Sequence, residues 1–307
     1  MISIKKTLLT LFVVCYSLFC TAQQIPHYTQ YLYNTQIINP ATVGLRSDLS
    51  MSLLTRQQWV GVTGAPTTNT FSINGRTNNG LGFGATVIND KVGLSKSNNI
   101  NVDASYTLIT SRDTRLAFGL KAGITLFDNN LSQGITPDND TYNNTKGNYP
   151  NIGFGAYYYN KQYFVGFSIP YLLKSSQFEI SETITTQTTS SNMNYFITGG
   201  VRLRLSENIF FKPSTMVKYV KNLPISIDIN SNFLYKEFLE AGVSYRYKDS
   251  ASAMFAIIID KKYRIGYAYD TKLSALSNNF NTHEIVLHVD FTLKGKRRWL
   301  EHNSCYF

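Results

Sequence analysis

Four histidines, His27, His283, His288 and His302, are the side chains of this 307-residue chain best suited to proton transfer or metal binding. None stands at metal-ligand spacing from another. An esterase needs a serine activated by a histidine that a third polar group orients. His288 could take that place beside an inward-facing serine, and a plain interior histidine fits the same position. His283 and Asp290 fall on opposite faces of the last alternating segment, which argues against a dyad. Gly80-Leu81-Gly82-Phe83-Gly84 has the look of a phosphate loop, but it opens a strand-like segment. No helix N-terminus then follows to hold an anion. These glycines fit better where a strand bends or relieves crowding. The residues thus assign no catalytic, cofactor-binding or metal-binding position, and no cofactor.

A second set of residues carries charge rather than chemistry. Arg56, Arg202, Arg204, Lys212, Lys218, Arg246 and Arg264 occupy the polar phase of alternating segments and are expected to face inward. Asp103, Asp228, Asp270 and Asp290 share that phase and would balance them. Such a set reads as a hydrated, charge-matched interior, or as a cationic path for anions.

The chain's start fixes the compartment in which these residues must be positioned. Lys5 and Lys6 precede an apolar run over residues 8–19, and Cys20-Thr21-Ala22 stands ahead of Gln23 as a cleavage signal. Residues 1–22 are therefore expected to be a secretory signal peptide, too short to be a membrane-spanning helix. A lipoprotein would acylate Cys20, but Phe19 is large where a small residue is needed. Cleavage also removes Cys15, leaving Cys305 and no possible internal disulfide. The formal net charge of +10, from which two lysines leave with the signal, would suggest nucleic acid in a soluble cytoplasmic protein. An exported chain does not meet nucleic acid, so the charge reads as an envelope protein's polar surface.

Aromatic residues make up 14% of the chain and charged residues 16%, against about 25% charged in ordinary soluble domains. No apolar run of about 18 residues follows the signal. A closed barrel then remains, since it satisfies every backbone group between strands. Period-two alternation supports it. Leu116, Phe118, Leu120, Ala122, Ile124 and Leu126 share one face, opposite Gly119, Lys121, Gly123 and Thr125. Ile285, Leu287, Val289 and Phe291 likewise alternate with Glu284, His288 and Asp290. Such runs match the roughly 10-residue strands of outer-membrane barrels.

About fourteen segments emerge, an even number as bacterial barrels require. They span residues 49–59, 68–76, 81–89, 99–109, 115–127, 151–159 and 163–169 in the first half. Residues 193–205, 210–219, 224–235, 238–247, 251–259, 264–269 and 283–293 follow. Connections after even-numbered segments are tight, whereas residues 128–150, 170–192 and 271–282 form long ones after odd-numbered segments. That asymmetry is expected of short periplasmic turns and long outer loops. The fold class is thus an all-β antiparallel transmembrane barrel over residues 48–294. Residues 23–47 lack alternation and are expected to plug the lumen or cover its periplasmic mouth. Residues 295–307 form a basic tail ending on Phe307.

Several blocks also resemble the PorP/SprF family of outer-membrane proteins of the type IX secretion system. They are Gln30-Tyr31-Leu32-Tyr33-Asn34 through Asn39-Pro40-Ala41 and Gly44, and Arg56-Gln57-Gln58-Trp59-Val60-Gly61 with Gly64-Ala65-Pro66-Thr67. Asp90 and Gly93, Val165-Gly166-Phe167-Ser168-Ile169-Pro170, and Pro213-Ser214 with Lys218 continue the match. Gly266-Tyr267-Ala268-Tyr269-Asp270 and His283-Glu284-Ile285 close it, while Asn194 departs from an expected histidine. The resemblance implies a non-enzymatic accessory of type IX secretion in a Gram-negative outer membrane. Its implied partners are outer-membrane lipid, other secretion components and a large surface cargo such as an adhesin, in support of export, anchoring or gliding motility. Two readings of other classes share the architecture: a diffusion channel for hydrophobic or anionic solutes, and an adhesin in its own right.

Overall fold

The alternation becomes a continuous antiparallel ladder in the computed structural model, which describes residues 27–77, 79–133, 144–173, 193–221, 223–273 and 281–292. The expected signal peptide and basic tail lie outside the described residues. Strands β1 (Leu49–Gln57), β2 (Thr67–Arg76), β3 (Leu81–Val92), β4 (Ser95–Ile109) and β5 (Arg115–Asn129) pair in sequence order. β6 (Thr145–Tyr159), β7 (Tyr163–Ile169), β8 (Asn194–Val201), β9 (Leu203–Arg204) and β10 (Ile209–Val220) continue the sheet. β11 (Ser226–Tyr235), β12 (Leu239–Arg246), β13 (Ser250–Ile259), β14 (Tyr263–Lys272) and β15 (Asn281–Phe291) complete it. β15 returns to β1, from Leu49 opposite Phe291 to Gln57 opposite His283, and the sheet closes.

β8 and β9 are one stave, interrupted at Arg202, so the barrel has the fourteen staves expected. Both pieces keep the same register on β10, which puts Pro213 and Lys212 opposite the break. A proline has no N–H to give a ladder, and the pairing lapses there.

The main correction concerns strand length. β4, β5 and β6 are each 15 residues long, more than the roughly 9–11 needed to cross a bilayer. Ser95 pairs with Asn129, and Asn129 with Thr145, so the ladder runs past the end of the apolar alternation. The expected connection at 128–150 shrinks to 130–144. Alternation marks only the part of a strand that separates lipid from lumen; beyond the membrane both faces are polar, yet hydrogen bonding continues.

Outward positions are large and apolar: Leu53, Phe83, Val102, Leu120, Val243 and Ile265 are all more than half exposed. Water does not tolerate such a surface, and lipid requires it. Tyr106, Tyr158, Tyr235 and Tyr263 ring the short-turn end of the outer face, and Tyr219, Tyr245 and Tyr247 the long-connection end. Aromatic girdles of this kind mark the two membrane interfaces. Two short turns place both central residues at positive φ, Lys236 with Glu237 and Asp260 with Lys261. That geometry matches the twist of a tight hairpin.

Candidate functional site: the occupied lumen

Residues 28–45 lie buried inside the barrel. They form three single 3-10 turns, Tyr31–Tyr33, Thr35–Ile37 and Pro40–Thr42. Asn39 caps the last, its Oδ1 accepting the Ala41 N–H at 2.9 Å. Irregular backbone survives at membrane depth only where protein or water satisfies its polar groups. Here the barrel wall does so. Glu284 accepts the N–H of Thr29 at 3.0 Å and that of Gln30 at 2.7 Å. Ser168 donates to the Ile38 carbonyl at 2.7 Å, and Ser105 to the Val43 carbonyl at 2.7 Å. Asn39 Nδ2 donates to the Ala156 carbonyl at 3.1 Å, and Asn230 Nδ2 to the Tyr31 hydroxyl at 2.9 Å.

The wall makes room by omitting side chains. A Cβ at Gly119 would overlap the Ala41 amide and the Pro40 carbonyl carbon, and one at Gly155 would overlap Asn39 Oδ1. At Gly82 it would strike the Val43 carbonyl oxygen, and at Gly84 it would come within 2.6 Å of Gln36 Nε2. The glycines at 82 and 84 therefore serve close approach, as the sequence reading allowed. Gly119 and Gly155 do the same from neighbouring strands.

Ion pairs within the wall surround the segment, and two, from Arg46 and His27, reach from it to the wall. Arg56 lies 2.8 Å from Asp270 and 2.8 Å from Glu284, while the Thr29 hydroxyl donates to Asp270 at 2.7 Å. Lys121 pairs with Asp103 at 2.8 Å, and Gln36 Nε2 donates to the same carboxylate at 3.0 Å. Lys212 sits 3.2 Å from Glu240, Arg246 sits 2.8 Å from Asp228, and Arg46 of the inner segment binds Asp290. Arg264 stacks on the Tyr33 ring 4.7 Å from its centre, and Lys218 lies 6.0 Å from that of Phe196. His27 lies 3.2 Å from Asp228, and burial, then the Arg246 charge, lower its pKa to about 4.

Arg56, Lys212, Lys218, Arg246 and Arg264 therefore face inward as expected, and so do the four aspartates. Arg204 keeps the inward phase, opposite Phe210, but is exposed, donating to the Ser206 carbonyl at 3.2 Å. Its stave ends at the short-turn mouth, where the interior opens to solvent. Arg202, at the break, is only half-buried and pairs with Glu237 at 2.9 Å. Glu240 and Glu284, buried on the same polar phase, and Arg46 and His27 of the inner segment, paired with Asp290 and Asp228, belong to this interior as well, beyond the charges expected. Alternation could have supplied the two glutamates. Nothing periodic marks the other two.

His288 Nε2 lies 3.1 Å from Asp290 Oδ1, and Ser47 and Ser50 donate to the same oxygen at 3.0 and 2.7 Å. Ser52 faces His288 across the ladder, but its Oγ makes no hydrogen bond among the described residues. Ser47 and Ser50 thus support a carboxylate instead of being activated by a histidine. His283 points outward, its Nδ1 2.7 Å from the Tyr267 hydroxyl. Among the described residues no group of three His, Cys, Asp or Glu side chains could hold a metal ion.

The profile described as "Type IX secretion system membrane protein PorP/SprF" matches residues 20–289. The chain belongs to the PorP/SprF family. Its family and its closed barrel place it in the outer membrane of a Gram-negative bacterium and associate it with type IX secretion. The chain is similar in fold to a deletion mutant of TodX, a monoaromatic hydrocarbon channel, at 10% identity and a TM-score of 0.50 over 86% of this chain and 95% of that one. The Ralstonia pickettii toluene transporter TbuX gives 11% identity and 0.49 over 82% and 92%. The KdgM porin gives 12% and 0.39 over 79% and 99%. Comparison with curated proteins gives no match. At such identities the shared feature is the barrel; PorP/SprF membership carries the association with secretion.

Proposed function

We propose that this PorP/SprF protein is a non-enzymatic accessory of type IX secretion that supports export or surface anchoring of one large cargo, such as an adhesin. The observation that carries the reading is the occupied lumen. A diffusion channel, the alternative, needs an unobstructed path, lined with apolar groups for hydrophobic solutes or with unmatched cations for anions. Here a segment of the chain itself fills the interior, held by Glu284, Asp270, Asp103, Asp290 and the wall glycines. Most of the inward cations are matched to carboxylates.

In this reading the barrel serves as a membrane-fixed platform. Connections 130–144, 170–193 and 273–280 all leave the same end, which we place outside the cell. They are rich in Asn, Thr, Ser and Gln, suited to an adaptable protein contact. Partners are then other secretion components at the barrel and the cargo at the outer loops. Purifying the full-length protein from native outer membranes and identifying what accompanies it tests this. One large exported surface protein should co-purify and be lost when connections 130–144 and 170–193 are both shortened. Purification with no exported protein bound would refute the proposal.

A further inference from the structure

The outer face of β15, β1, β2 and β3 carries an arrangement that the filled lumen does not use. A groove of about 350 Å³ lies there between Leu53, Phe71, Val87 and Leu287. Thr55, Asn69 and Asn89 line its other end, towards the long connections. These three and Asn98 form a row in direct register: Thr55 opposite Asn69, Asn69 opposite Asn89, Asn89 opposite Asn98. Thr55 donates to Asn69 at 2.7 Å and Asn89 to Asn98 at 2.6 Å. The row marks the level at which the lipid-facing surface turns polar.

Two residues further along the same face stand Lys91 and Lys96, both exposed and directly opposite each other. Like charges in that position destabilise an antiparallel pair. Among the described residues neither lysine makes an ion pair. Asp128, the next residue in the row, is 3.2 Å from Lys146 on its far side. Two lysines without an ion pair of their own, beside an Asp128 that turns to Lys146, stand above a polar row and an apolar groove and form a template for an anionic amphiphile.

We propose that this face binds a phosphorylated glycolipid of the outer leaflet, its phosphate between Lys91 and Lys96 and an acyl chain in the groove. The inference rests on the long connections lying outside the cell, and is independent of the role in secretion. It is tested on the full-length protein in detergent by native mass spectrometry, with bisphosphorylated lipid A as the probe. Wild-type protein should retain the lipid through collisional activation. The double variant Lys91→Gln/Lys96→Gln should lower retention at least tenfold, and Lys91→Arg/Lys96→Arg should restore it. Val87→Trp, which fills the groove, should also weaken retention with both lysines present. Heat-modifiable mobility confirms that each variant is folded. Equal retention by wild type and the glutamine variant would overturn the proposal. So would equal retention of lipid A stripped of its phosphates, or of phosphatidylglycerol in its place.

Discussion

Replacing Glu284 by glutamine should loosen the segment inside the lumen while leaving the barrel closed. Glu284 is 0% exposed and meets three donors: the Thr29 and Gln30 N–H groups and the Arg56 guanidinium. Arg56 and Glu284 both belong to the wall, so their pair outlasts release of the segment. What holds the segment is the pair of N–H bonds to the carboxylate, each charge-assisted and worth about 1.5–3 kcal/mol. Glutamine keeps one acceptor oxygen, so about one of these bonds is lost, at the upper end about 3 kcal/mol. At about 1.4 kcal/mol per factor of ten, that raises the fraction of time the segment is released roughly 150-fold. Hydrogen exchange by mass spectrometry reads this as faster exchange of the Thr29 and Gln30 amides. The β1–β15 ladder should keep its protection. Acceleration below roughly threefold would refute the role given to Glu284, and equal loss at the ladder would mean that the residue holds the barrel, not its contents.

Gly119→Ala should expel the segment, reported by labelling of a cysteine placed at Ala41 in a background lacking Cys305. Gly199→Ala, whose added carbon meets nothing nearer than 3.7 Å, should leave that cysteine protected. Leu120→Arg should impair assembly, since a cation at mid-membrane costs about 2–4 kcal/mol. Position 121 is not the tolerant control that alternation suggests: Lys121→Ala strands Asp103 and should cost about 3–5 kcal/mol in an unfolding titration. His27, neutral when buried, has a folded pKa of about 4 against 6.5 in the released segment. Its contribution to keeping the segment in place is complete above about pH 6.5 and declines as the pH falls towards 4. The protection factors of residues 28–45, corrected for the intrinsic base-catalysed exchange rate, should therefore fall between about pH 7.5 and 5, and His27→Gln should flatten that dependence. Impermeant reagent on intact cells should label a cysteine at Asn139 and spare one at Lys161.

Much of the barrel was legible because lipid and lumen impose opposite demands on successive residues. Leu120 and Lys121 show this directly: one faces hydrocarbon, the other a buried carboxylate. The outer ends of β4 to β6 were not legible, since Ser95–Asn98 and Thr145–Asn148 are polar on both faces. The inner segment was recognisable only as a stretch without alternation, and its place in the lumen depends on partners far away in sequence. Thr29 finds Asp270 and Glu284, and Ala41 finds Gly119, through tertiary contact that no local period encodes. The inward cations were read in bulk from their phase. Arg204 escaped because phase persists to the end of a stave while burial does not.

The most direct test of the secretion role compares the surface and medium proteins of a strain lacking this chain with those of its parent, alongside uptake of small solutes. The account predicts that one large exported protein disappears from the surface while uptake is unchanged. If every exported protein stays in place and uptake of a nutrient slows, the chain is a channel and the secretion role is contradicted.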